Sequence, residues 1–311
     1  MTTNATLSRI HLRAVEPGRL ANLQQIARRR SREDEVARLR TFAAVRPVRP
    51  VFSRRSAAVI HGLPLLGRLP ESIHHLPRGD PGREVVERRG LLVTSVARTV
   101  ADIAGRASLM DGVVAADAAL SRGPFGDREP LARREQLLHA ATCIEDPEQR
   151  RRVQEALEFA DGEAESPLES VSRVSLALAG APPPRLQQEL GDLLGFRAKL
   201  DFVWPELGLV GEADGAVKYL HPATMGGRSA REVNARQRER QRLIESMGFR
   251  VIRWGWATAT RPDRMRALME EAGVPCGAGR LGSLEQPASE HKGAGPAPPT
   301  PLEWRLAPPL S

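Results

Sequence analysis

Three of the four carboxylates in the stretch DFVWPELGLVGEADGAVKY, residues 201–219, stand at the ends of its two apolar runs: Asp201, Glu212 and Asp214. Two short apolar runs flank the turn residues PELG, so this stretch is predicted to form a β-hairpin. Glu212 and Asp214 share one face of the second strand, because side chains alternate along a strand. With PELG as the turn, Asp201 lies near Glu212 across the ladder, and the three carboxylates converge.

Converging carboxylates repel one another unless a cation lies between them. Oxygen ligands of this kind suit Mg²⁺ or Mn²⁺, so Asp201, Glu212 and Asp214 are candidate metal ligands. The alternative is that Asp201 and Asp214 only flank turns, since Asp-Gly is itself a turn signal. That alternative is the simpler one for these residues alone; Glu169, Lys218 and the helix that follows favour the metal site.

Glu169 has two interpretations that the spacing leaves open. In SPLE it can reach back from the first helical turn to the N-cap Ser166, as in a capping box. It can instead project toward the sheet and act as a catalytic or metal-binding carboxylate. Lys218 follows Asp214 by four residues, and its long side chain can reach back toward the acidic patch.

The elements that must position these residues are predicted over 163–275 in the order α-β-β-β-α-β-α. Apolar residues of the second helix mark an inner stripe, and Arg240 falls on that stripe. An inward arginine needs an anionic partner, either the carboxylates or a bound phosphate. Otherwise it extends outward at the edge of the stripe. We therefore predict an α/β domain on a mixed sheet.

The remaining chain divides into four further segments. Residues 1–50 form a helical, basic N-terminal segment, and 51–123 form a smaller α/β region. Residues 124–162 are predicted to be a helical connector. Residues 276–311 are rich in Pro and Gly, lack the apolar content of a folded unit, and are predicted to be a disordered tail.

Composition restricts the classes of function. The 46 Lys and Arg residues against 38 Asp and Glu give a formal net charge of +8, which favours a polyanionic partner. The predominance of Arg over Lys is more simply explained by a GC-rich genome. Cys143 and Cys276 lie in unrelated contexts, which argues against a disulfide framework or zinc site. With no signal sequence or membrane-length apolar run, we expect a soluble cytoplasmic protein and no membrane partner.

Together these motifs resemble the PD-(D/E)XK nuclease superfamily, and within it the very-short-patch-repair-like branch of bacterial endonuclease-like domains. The resemblance covers residues 163–275. It is carried by Glu169, DFVW from Asp201, GEADG at 211–215, KY at 218–219, Arg240 and GFRVIRW from Gly248. Residues 51–123, with SRRSAAVIHGLPLL and LLVTSVARTVADIA, resemble an actinobacterial AbiEi-type antitoxin-like region that lacks a clear winged helix.

The resemblance implies a restriction-endonuclease-like fold and Mg²⁺- or Mn²⁺-dependent cleavage of DNA. Asp201 and Glu212 are then metal ligands, and Glu169 is a further ligand or a water-positioning base. Lys218 is the candidate catalytic lysine, which stabilises the attacking hydroxide or the phosphate, and Arg240 is the candidate phosphate-binding residue. Asp214 departs from the pattern, because the family has a lysine there. Two alternatives remain: a non-catalytic DNA-binding regulator or type IV antitoxin-like protein, and a protein-interaction module. A protein partner or a homodimer is left open beside DNA.

Overall fold

The computed structural model describes residues 32–67, 69, 71–77, 84–123, 126–191, 197–214 and 230–279; the side chains of 197–198 and 230–236 are outside this description. Within these ranges the chain is an α/β protein with ten α-helices and two sheets, both of which mix parallel and antiparallel pairs. The α/β prediction is thus confirmed. None of the described helices combines the length and the apolar character needed to cross a membrane.

The residues before 163 form a small sheet and six helices. The strands are β1 (Val51–Phe52), β2 (Val85–Arg88) and β3 (Leu91–Thr94), in the spatial order β1-β3-β2. The helices are α1 (Arg32–Ala44), α2 (Arg54–His61), α3 (Val96–Ala104), α4 (Leu109–Leu120), α5 (Arg134–Thr142) and α6 (Pro147–Phe159). Helices α5 and α6 belong to the predicted connector, and their Leu137, Val153 and Leu157 enter one apolar core with α3 and α4.

The C-terminal part is built on a four-stranded sheet. Its strands are β4 (Arg185–Gly191), β5 (Arg197–Trp204), β6 (Leu209–Ala213) and β7 (Arg250–Trp254), and its helices are α7 (Pro167–Leu178), α8 (Ala230–Ser246), α9 (Trp256–Ala259) and α10 (Pro262–Glu271). The spatial order is β4-β5-β6-β7, with β6 and β7 parallel and the other pairs antiparallel. Apart from the short α9, this is the predicted order of elements.

The turn between β5 and β6 sets the register of the hairpin. PELG forms a single 3-10 turn, and Gly208 closes it with a φ of 55°, in the left-handed region that favours glycine. The next pairs are Trp204 with Leu209 and Phe202 with Gly211. A one-residue shift would exchange the two faces of the sheet, so this turn determines which side the acidic residues occupy.

The two faces of the sheet have different coverings. Phe202, Trp204 and Trp254 pack with α7, α9 and α10 in one core, and Trp254 donates a 2.7 Å hydrogen bond to the hydroxyl of Ser172. Val203, Val210 and Val251 pack on the other face with Ile244 of α8. A Cβ at Gly211 would lie 2.4 Å from Cη2 of Trp254, so only glycine allows this indole to lie flat against β6.

Helix α7 joins the N-terminal and C-terminal parts. Val174 of α7 lies in the helical core of the N-terminal part, and Val114 of α4 lies in the core beneath the four-stranded sheet. Arg173 Nη1 of α7 lies 2.9 Å from Asp117 Oδ2 of α4; the Asp117 side chain is buried and that of Arg173 is mostly buried. The backbone N–H of Asp161 donates to the other oxygen of Asp117.

Burial raises the pKa of the Asp117 carboxyl to about 6, although Arg173 and the Asp161 N–H oppose this rise. The folded protein therefore binds this proton more tightly than the unfolded chain. We expect the free energy of unfolding to rise by about 1 kcal/mol as pH falls from 7 to 5, through this group. Urea unfolding across this range, compared with Asp117→Asn, isolates the effect; parallel pH profiles of the two proteins would contradict it.

Candidate functional site

Asp201 and Glu212 face each other near the end of the β5–β6 ladder. The pair Phe202–Gly211 is the last one formed, and the next residues on each strand are Asp201 and Glu212. Asp201 Oδ2 accepts a 3.0 Å hydrogen bond from the backbone N–H of Ala213, which fixes its carboxylate over β6. The predicted register of the hairpin, which brings residues 201 and 212 opposite each other on adjacent strands, is confirmed.

Glu212 is buried and is held by an arginine of the next strand. The parallel register places Arg253 directly opposite Glu212. Nε and Nη2 of Arg253 donate to the same oxygen, Glu212 Oε2, at 2.9 and 2.7 Å. Nη1 of Arg253 donates to Gln241 of α8, so the guanidinium is itself held in place.

The second carboxylate oxygen of Glu212 faces Arg240 of α8. Arg240 Nη1 lies 3.0 Å from Oε1, and the side chain of Arg240 is 35% exposed against 8% for Glu212. This contact lacks hydrogen-bond alignment, so Oε1 is a buried oxygen without a hydrogen bond in the described part of the protein. Arg240 Nη2 donates to the carbonyl of Lys199 at 2.5 Å. The prediction that Arg240 points inward to an anionic partner is confirmed.

Asp214 lies one residue beyond β6, and its backbone N–H donates to Trp254 O at 2.8 Å, which continues the pairing with β7. Its Oδ2 accepts a 3.0 Å hydrogen bond from the side-chain amide of Gln237. Asp214 thus stands beside the acidic pair, on the side of the sheet that α8 covers. Lys218, the other cation predicted near this patch, lies outside the described residues.

Glu169 makes the contacts of a helix cap. Its backbone N–H donates to Ser166 Oγ at 3.3 Å, its Oε1 accepts from the same hydroxyl at 2.6 Å, and its Oε2 accepts from the N–H of Glu165 at 2.9 Å. The amide of Gln187 donates to the same Oε2 at 2.7 Å. The capping interpretation therefore describes this carboxylate, although Glu169 also lies beside Gln187 and Asp201.

Two residues of this site are absent from the sequence-based set. Gln187 lies opposite Asp201 on β4 and has a φ of 49°, which is rare for a residue other than glycine. Arg253 shares its face of β7 with the apolar Val251. Arg253 could have been found from sequence, because it is a charged residue between Ile252 and Trp254 in a short, largely apolar strand. Nothing in the sequence indicates the left-handed backbone of Gln187.

The chemistry of the pair fits a divalent cation. In the described residues Glu212 contacts two guanidinium groups, Arg240 and Arg253, and its Oε1 is a buried oxygen without a hydrogen bond. Asp201 and Asp214 bond instead to the N–H of Ala213 and to Gln237. The described residues contain no cluster of three or more His, Cys, Asp or Glu side chains arranged as metal ligands. Mg²⁺ needs no such cage, because it binds through one or two carboxylates and keeps several waters.

Comparisons with known proteins give distant relatives. The chain is 26% identical over 206 residues to two uncharacterized proteins of Mycobacterium tuberculosis, from strains CDC 1551 and H37Rv. The matched region covers 65% of this chain and 68% of each relative. It is longer than segment 163–275, so the likeness includes residues outside the four-stranded sheet and its helices. No protein-family model matches the chain, and no solved structure does.

Proposed function

We propose that residues 163–275 form a restriction-endonuclease-like domain of the PD-(D/E)XK type, close to the very-short-patch-repair-like branch. Its activity is the Mg²⁺- or Mn²⁺-dependent hydrolysis of DNA phosphodiester bonds. The observation that carries the proposal is the position of Asp201 opposite the buried Glu212 on adjacent strands. The order of helices and strands and the mixed sheet also support it.

Four of the described side chains have a role in this reaction. Asp201 and Glu212 would hold the cation, which supplies an activated water and neutralises charge on the phosphate. Arg253 fixes the orientation of Glu212 through Oε2, and the Ala213 N–H does the same for Asp201. Arg240, which is partly exposed, would contact a phosphate oxygen.

A second candidate is a DNA-binding regulator, or an antitoxin-like protein, that keeps the fold without hydrolysis. The observation in its favour is that two guanidinium groups already neutralise Glu212. Asp214 at the family's lysine position and the AbiEi-like character of residues 51–123 point the same way. Both candidates bind DNA, and they differ only in whether the acidic pair uses a metal.

The test is a cleavage assay on supercoiled, linear duplex and single-stranded DNA, with Mg²⁺, Mn²⁺ or EDTA. Cleavage that needs the metal supports the nuclease. DNA binding that is indifferent to metal, with no cleavage of any of these forms, supports the regulator. Failure to bind DNA at any salt concentration would contradict both and leave a protein-interaction module.

The outer face of α8 gives a prediction about DNA affinity. Arg238 and Arg242 are exposed one turn apart on this helix. If both contact phosphates, replacing both with Gln should reduce the slope of log affinity against log salt by about 2. Fluorescence anisotropy with a short duplex measures this slope. The control changes the same charge on α6, at Arg151 and Arg152, and should leave the slope unchanged; equal effects of the two pairs would favour a purely compositional role for the charge.

A further inference from the structure

Two arginines contact Glu212, and they hold it in different ways. Arg253 places two N–H groups on Oε2 and is itself held by Gln241. Arg240 approaches Oε1 with a single nitrogen, at 3.0 Å, without the alignment of a hydrogen bond. Arg253 is therefore a fixed part of the site, whereas the contact of Arg240 leaves a buried carboxylate oxygen incompletely satisfied.

Arg240 also lies where the site meets solvent. Its side chain is 35% exposed, and its other terminal nitrogen bonds the carbonyl of Lys199 on β5. A phosphate group that approached from this side would offer the guanidinium two well-aligned oxygens at once, which is the geometry that arginine prefers. The single contact of Arg240 with Glu212 Oε1 is a weaker interaction than the two hydrogen bonds that a phosphate would accept.

We propose that Arg240 is a counter-ion of Glu212 that leaves when DNA binds. Without nucleic acid its guanidinium neutralises the carboxylate at Oε1, and it moves to a phosphate when DNA is present. This inference rests on the proposed metal-dependent function. Arg240 and a divalent cation compete for one oxygen, so each makes the other's binding to Glu212 weaker. DNA removes Arg240 from that competition, and DNA and metal must therefore bind cooperatively, each strengthening the other.

The first measurement is Mn²⁺ binding by calorimetry in the absence of DNA. Arg240→Ala should bind Mn²⁺ about tenfold more tightly than the wild type, because the competing charge is gone. Arg240→Lys keeps a positive charge and should stay near the wild-type affinity. Arg151→Ala removes an exposed arginine of α6 and should also leave Mn²⁺ affinity unchanged.

The second measurement is duplex DNA binding in EDTA. Arg240→Ala should bind DNA more weakly than the wild type, by about tenfold, because a phosphate contact is lost. Tighter Mn²⁺ binding together with weaker DNA binding supports the proposal. Equal Mn²⁺ affinity of wild type and Arg240→Ala would overturn it while leaving the metal site in place. If neither protein binds Mn²⁺, the proposed metal site fails, and this inference fails with it.

Discussion

Replacing Asp201 with Asn is expected to reduce metal-dependent DNA cleavage by at least about a thousandfold. A bound divalent cation contributes several kcal/mol to the stabilisation of a phosphoryl-transfer transition state, and each 1.4 kcal/mol corresponds to about a tenfold change in rate. Asn keeps an oxygen that can accept the hydrogen bond from Ala213 N–H, so the local fold is retained. The carboxylate charge, which the cation requires, is lost.

The matched control for this variant is Glu206→Gln. Glu206 belongs to the same hairpin, but it lies in the exposed turn and pairs with Arg185 at the surface. Glu206→Gln removes the same charge a few residues from the acidic pair, and this variant should cleave DNA like the wild type. Rates measured at saturating Mg²⁺ and Mn²⁺ on one plasmid substrate make the comparison direct.

Two outcomes of this experiment would change the conclusion. If Asp201→Asn cleaves DNA as fast as the wild type, Asp201 holds no catalytic metal and the proposed site is incorrect. If the wild type binds DNA and cleaves nothing, Asp201→Asn has no activity to lose, and the DNA-binding regulator becomes the better description. Mn²⁺ titration of both proteins distinguishes an inactive metal site from one that binds no metal.

The second large effect is expected from Gly211→Ala, which should lower the free energy of unfolding by about 3 kcal/mol. The added Cβ would lie 2.4 Å from Cη2 and 2.6 Å from Cζ3 of Trp254, and 3.2 Å from Cζ3 of Trp204. Both indoles are buried in a packed core, and Trp254 is further held by its hydrogen bond to Ser172. Neither ring can move without opening contacts elsewhere.

A double-mutant cycle tests this mechanism. Trp254→Phe removes the part of the indole that the new methyl group would strike, so Gly211→Ala should cost less in that background than in the wild type. Gly277→Ala is the control, because a Cβ there would meet no atom within 4 Å. Urea unfolding of the wild type, the two single variants and the double variant gives the four free energies of the cycle. Strict additivity of the two changes would mean that the destabilisation has another origin than this contact.

Much of the site follows from local sequence. The PELG turn fixes the register of β5 and β6, and that register alone places Asp201 near Glu212. Ser166 and Pro167 mark the start of α7, and helical spacing places Arg240 on the face of α8 that meets the sheet. Each of these features depends on residues close together in the chain, where turn chemistry and periodicity determine the outcome.

The features that sequence did not predict depend on distant residues. Arg253 reaches Glu212 because β7 pairs in parallel with β6, and that register is set by a crossover through α8 rather than by a turn. Glu169 makes the cap contacts that its sequence neighbours allow, but its Oε2 also accepts a hydrogen bond from Gln187 of β4, which the sequence did not predict. The left-handed backbone of Gln187 is imposed by its surroundings, since the residue itself does not favour that conformation.

The N-terminal and C-terminal parts each contribute a side chain to the core of the other, and this affects how cooperatively the protein unfolds. Val174 completes the helical core, Val114 completes the core beneath the sheet, and Arg173 of α7 pairs with the buried Asp117 of α4. Part of the stabilisation of each half is therefore supplied by the other, and neither retains it alone. Four residues from Arg173 along the same helix, Glu169 lies beside Asp201. We therefore expect loosening of the N-terminal helices to reach Asp201 through α7.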